Sequence, residues 1–197
     1  MVRGATALPG QAPSTSVDPA DAAAAPGRAP ETSACPGCGS VLAVVPGLPP
    51  RHRGASPSCA GLFAVTVRGA REDAPHDPRN AALLQLATDS YDAQHLVGGE
   101  PAAAAVRLCV WLERDLDPAR ATGLTDRMAS AAPRLRTRPD RWTTTVADLA
   151  ADLDVVDLPT LVRSWAEAVW TDWSPAHPAL RAAAEAALTV GSSRSLD

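Results

Sequence analysis

From residue 79 onward, apolar side chains recur at the three-and-four spacing of an amphipathic helix. Residues 79–96 place Leu84, Ala87, Tyr91 and His95 on one face. Residues 101–115 open on Pro101 in the first turn and carry Val106, Cys109, Val110 and Leu112. A further helix is predicted over 118–131, opening on Pro118. Thr145 and Asp148 have the spacing of a capping box, with Asp in place of the longer Glu. The strongest helix is predicted over 158–173, where Leu158, Val162, Trp165, Val169 and Trp173 form one apolar stripe that Pro175 ends. Trp170 lies off that stripe. A last helix is expected over about 178–189, with Gly191 able to cap it.

The first third of the chain reads differently. Residues 1–33 are Ala, Pro, Gly, Ser and Thr without an apolar period, and such a segment cannot bury enough surface to offset its ordering entropy. A disordered tail is expected there, and another over 191–197. Residues 34–61 are punctuated by Gly and Pro, which predicts turns with at most one short strand. The run Leu62–Val67 fits either a helix or a strand. The expected architecture is mainly α: one helical domain over 34–190, with five to six helices and a zinc-stapled cysteine segment at its start.

Composition narrows the function. The chain has 197 residues, 46% of them hydrophobic, enough for one core. Its net charge of -4 argues against a phosphate backbone or an anionic membrane as partner. All 18 basic residues are Arg; with no lysine, Schiff-base chemistry and a P-loop are excluded. The absence of Lys and Ile suggests a GC-rich, actinobacterial source. No apolar run approaches the roughly 20 residues that span a bilayer, and no signal-peptide pattern opens the chain, so a cytoplasmic location is expected. In that reducing compartment four cysteines point to metal binding before disulfides.

Cys35-Pro-Gly-Cys38-Gly39 has the form of a metal knuckle. Two thiolates two residues apart can hold one tetrahedral ion in a tight turn, and the Gly gives the backbone freedom that turn needs. A redox pair and inert thiols are the alternatives. No second Cys-x-x-Cys follows, so Cys59 is the expected third ligand and a histidine the fourth. His52, His76, His95 and His177 compete for that position; His95 completes the candidate set, with capping of its helix as the plainer role. Cys109, between Val106 and Val110, is expected to be a buried inert thiol. Tyr91 is the only tyrosine, with Asp89, Gln94 and His95 around it. These side chains suit either acid–base work or a buried polar network that locks the helix to the cysteine segment.

Several fragments, taken in order, resemble the bacterial family DUF5946. They are Cys35-Pro-Gly-Cys38-Gly39, Gly54-Ala-Ser-Pro-Ser-Cys59, Asp89-Ser-Tyr91-Asp-Ala-Gln94-His95, Trp165-Ala-Glu-Ala-Val-Trp170-Thr-Asp-Trp173, and His177. The likeness spans roughly residues 35–181 and implies an architecture and candidate residues rather than a reaction. Three positions depart from the pattern that the resemblance implies. A histidine ahead of the Ser-Pro-x-Cys segment falls at Pro50, one seven residues before the tyrosine falls at Leu84, and the aromatic after the third cysteine is Ala60.

Two functions follow as expectations. In one, Cys35, Cys38, Cys59 and His95 close around a structural Zn2+, and the helical body binds a small molecule or a partner protein. In the other, the protein is a small zinc-dependent or acid–base enzyme acting on a small molecule in specialised metabolism, with Asp89, Tyr91, His95 and His177 as catalytic residues. The last three are expected to converge near the zinc segment.

Overall fold

Helix starts in this chain are written by short polar side chains followed closely by proline. The computed structural model describes residues 30–45, 50, 52–97, 100–114, 116, 123–135 and 138–189. Two short strands come first, β1 (Thr32–Ala34) and β2 (Val41–Ala43). Eight α-helices follow among the described residues: α1 (Pro57–Thr66), α2 (Arg68–Asp73), α3 (Pro78–His95), α4 (Glu100–Glu113), α5 (Thr125–Ala131), α6 (Val146–Asp152), α7 (Leu158–Asp172) and α8 (His177–Thr189). A 3-10 turn, Ser174–Ala176, joins the last two. Ser56, Asp77 and Asp157 each accept a backbone N–H at the starts of α1, α3 and α7, and each of these helices has a proline in its first turn. Thr145 and Asp148 form both halves of the capping box at α6.

The mainly helical class is as expected, with more helices than the five to six predicted. Both additions lie in segments without an apolar stripe. Residues 57–61, expected as turn, are the first half of α1, which settles the Leu62–Val67 run as helix up to Thr66. The buried positions of α1 are Cys59, Phe63 and Thr66, one turn apart but chemically mixed. The expected tail lies outside the described residues up to residue 29, as do residues 191–197 and the Pro118 end of the helix predicted over 118–131. Thr32 and Ser33, expected in the tail, pair antiparallel with Ala43 and Leu42.

α4 is the centre of the body. It packs against α3, α5, α7 and α8. Its stretch Ala102–Val106, with Leu108, Cys109 and Val110, is buried, the pattern of a helix surrounded by others. α3 also packs on α7, and α1 on α6. Trp165, Trp173, Tyr91, Leu108, Leu149 and Leu180 belong to one contiguous apolar core, which includes Cys35, Cys38 and Cys59. No described helix is long and apolar enough to cross a membrane.

Candidate metal centre

The turn between β1 and β2 sets the first two thiols. Cys35 N–H donates to Ser40 O at 2.8 Å and Gly39 N–H to Cys35 O at 2.9 Å, which closes the turn around Cys38. Gly39 has φ 79°, in the left-handed region that a side chain disfavours, as the knuckle reading requires. Cys59 lies in the first turn of α1, where its N–H donates to the Ser56 cap at 3.2 Å. His95 is the last residue of α3.

These four residues meet. One ligand atom from each of Cys35, Cys38, Cys59 and His95 lies within 4.8 Å of all the others, a group that could hold a metal ion. Cys38 Sγ is 3.8 Å from Cys59 Sγ, and Cys59 Sγ is 3.3 Å from His95 Nε2. All four side chains are buried, Cys59 and His95 completely. His95 Nδ1 lies 2.7 Å from Tyr91 O. A carbonyl only accepts, so Nδ1 carries a proton, and Nε2 is the nitrogen that faces the sulfurs and could ligate a metal. Helix capping and ligation are thus compatible roles of one ring.

The thiols share protons unequally. Hydrogen bonding with Cys38 and Cys59 holds the Cys35 thiol well below its ordinary range, and Cys35 and Cys38 push Cys59 well above it. Burial lowers the His95 pKa, but hydrogen bonding with Cys35 and Cys38 outweighs it and leaves the imidazole raised to about 9. The Tyr91 phenol is pushed far up by burial first and by Cys59 next. Were all three deprotonated, a cation among them would be needed to hold the charges in so small a buried volume.

The surrounding residues hold the knuckle from outside. Trp142 Nε1 donates to Gly37 O at 3.0 Å, and Arg138 to Pro36 O at 3.3 Å. Ser40 Oγ is 3.2 Å from Cys38 Sγ and donates to Thr145 Oγ1 at 2.8 Å, tying the turn to the cap of α6. A model of the family of unknown function DUF5946 matches residues 33–174. The chain is a DUF5946 protein. No curated protein and no solved structure matches it.

The other predicted site residues of this DUF5946 chain divide into two places. Asp89 lies in the α3–α4 interface, fully buried, and accepts from Arg107 Nε at 2.6 Å, Gln85 Nε2 at 3.0 Å and Trp111 Nε1 at 3.0 Å. Burial still raises its pKa to about 6, against the pull of Arg107 and Trp111. Gln94 donates to Thr144 O and accepts from Trp165 Nε1, joining α3 to α7. Tyr91 is stacked on His95, with ring centroids 3.9 Å apart. His177 is elsewhere. Its ring stacks on Trp170 at 3.8 Å and its Nε2 lies 2.8 Å from Trp170 O, and no hydrogen bond or ring contact among the described residues joins it to Tyr91 or His95. The expected convergence therefore covers Tyr91 and His95 alone. His52 is not a metal candidate in space: its Nε2 lies 2.8 Å from Asp92 Oδ1. His76 is exposed. Asp92, Arg107, Trp111 and Trp142 carry no local signature, since each pairs with a residue distant in sequence.

Proposed function

We propose that this DUF5946 protein is a zinc-binding helical protein whose ion is structural. The observation that carries this reading is the approach of three sulfurs and one imidazole nitrogen within 4.8 Å, all from buried side chains. Soft thiolates with one imidazole suit a tetrahedral zinc ion. With Zn–S lengths of about 2.3 Å, two sulfurs on a tetrahedral ion stand about 3.8 Å apart. The Cys38 and Cys59 sulfurs are 3.8 Å apart already. Four protein ligands fill the coordination sphere and leave no position for water, so the ion's work is to hold chain segments together. Those segments are the β1–β2 turn, the start of α1 and the end of α3. The turn has few large apolar side chains of its own, and Val41, Val44 and Val45 are exposed. Four free thiols support a reducing, cytoplasmic setting.

The helical body offers a place for a small molecule. A cavity of about 660 Å³ lies between residues 138–141 and the start of α8, lined by Leu135, Arg138, Arg141, Trp173, Pro175 and Ala179 among others. That volume is in the range of ligand sites. The enzyme alternative draws less support. Asp89, Tyr91 and His95 are fully buried, and His177 lies apart from them.

Single replacements of the ligands test the zinc reading. Cys59→Ser and His95→Ala should each reduce bound zinc in the purified protein, measured by elemental analysis, while Cys109→Ser should not. Full zinc content in both ligand variants would refute the assignment.

A further inference from the structure

The three thiols are unequally provided with hydrogen-bond donors. Cys35 Sγ accepts from Ser56 N–H at 3.3 Å. Cys38 donates to Ser40 Oγ at 3.2 Å, and the proton of that hydroxyl goes to Thr145. Cys59 Sγ has Cys38 Sγ at 3.8 Å and His95 Nε2 at 3.3 Å, with Cys35 Sγ within 4.8 Å, and accepts from no N–H or O–H outside these candidate ligands among the described residues. A buried metal-bound thiolate keeps enough negative charge to call for an N–H or O–H donor, and such outer partners tune affinity.

The matching donor is close by. The Tyr91 hydroxyl is fully buried and has no hydrogen-bond partner among the described residues. Trp173 Nε1 is the other such atom. The Tyr91 ring is clamped between Phe63, with centroids 4.3 Å apart, and His95, at 3.9 Å. Phe63 stands one turn beyond Cys59 on α1, and His95 one turn beyond Tyr91 on α3, so the phenol sits between the two helices that supply these ligands. The ring on which it stacks, His95, has its Nε2 3.3 Å from Cys59 Sγ. Buried hydroxyls in folded proteins are nearly always paired, and this unpaired one lies between the helices that carry Cys59 and His95.

We propose that Tyr91 is a positioning residue of the metal centre, donating its O–H to the Cys59 thiolate when the metal is bound. A neutral thiol is a weak acceptor; the thiolate that metal binding creates is a strong one, so the missing bond forms with the metal. The proposal rests on the metal reading above. The bond would orient the Cys59 sulfur, and the stack would hold the His95 ring at the same time.

Cobalt(II), titrated into the full-length wild type and Tyr91→Phe, tests it through the sulfur-to-cobalt absorption band and competition with a chelator. Phe keeps the stacked ring and removes only the donor. The variant should bind one ion roughly 10- to 100-fold more weakly. Its band should move to lower energy, because a thiolate without a donor gives up an electron more easily. Affinity and band both equal to wild type would overturn the proposal while leaving the metal site standing. A wild type that binds no cobalt would remove the metal reading itself, and this proposal with it. A second measurement needs no mutation, since Tyr91 is the only tyrosine. In protein loaded with an NMR-active cadmium isotope, the Tyr91 hydroxyl proton should be slow to exchange and scalar-coupled to cadmium. A hydroxyl proton without that coupling, or exchanging too fast to detect, would contradict the bond.

Discussion

Cys109 sits in the middle of α4, fully buried, with its Sγ 3.7 Å from Glu113 Oε2 and outside the group formed by the other three thiols. Burial pushes its pKa up to about 11, so it stays a neutral, small core side chain at physiological pH. Cys109→Ala should therefore cost only roughly 1 kcal/mol through a small cavity. Its zinc content should match wild type in elemental analysis; loss of the ion would place Cys109 in the coordination sphere. Asp89 is the opposite case. It neutralises Arg107, whose side chain is only 12% exposed, and accepts from two further, half-buried donors. Asp89→Ala leaves that guanidinium only Asp92 Oδ2, at 3.9 Å, and should cost about 3 kcal/mol in urea unfolding, the scale for breaking a buried pair. The metal stoichiometry should be unchanged, because the interface it serves is α3 against α4. A loss no larger than that of Cys109→Ala would show that water replaces the carboxylate cheaply.

The same contrast between local and distant partners decides which elements could be read from the chain. α7 was legible because its stripe is one-sided and Pro175 marks its end. The α6 cap was legible because both halves lie three residues apart. α1 was not, since its inward positions are a cysteine, a phenylalanine and a threonine. The cluster that could hold a metal was legible for a related reason: Cys35, Cys38 and Cys59 are rare residues in marked turns, and His95 shares a helix face with Tyr91. His177 was misjudged because one long helix serves two neighbours. Trp165 faces Gln94 on α3, whereas Trp170 donates to Glu113 on α4, and His177 folds back on Trp170. The knuckle's fit against α3 depends on two glycines, Gly37 and Gly54. A Cβ on Gly54 would overlap the carbonyl oxygen of His95, and one on Gly37 would stand 2.6 Å from the His95 ring. Gly54→Ala should therefore push the end of α3 away from the thiols. The expected result is a fall in both zinc affinity and melting temperature; a variant with wild-type values for both would show that the loop yields without moving His95.

At the scale of the whole molecule, the thiols are part of the core rather than an appendage to it. Cys35, Cys38 and Cys59 belong to the same contiguous cluster as Trp165 and Leu180. Through Ser40 and Trp142 the turn is also wired to the cap of α6 and the loop before it, and Gln94 ties α3 to that loop and to α7. An ion held there would couple the small sheet to the helical body, so its free energy of binding adds directly to folding stability. The most direct measurement is native mass spectrometry of the full-length protein, paired with thermal unfolding before and after chelation. One zinc ion per chain is expected, with a marked drop in melting temperature once the ion is removed. A chain that carries no metal as purified, and that melts at the same temperature with or without chelator, would contradict the structural zinc site.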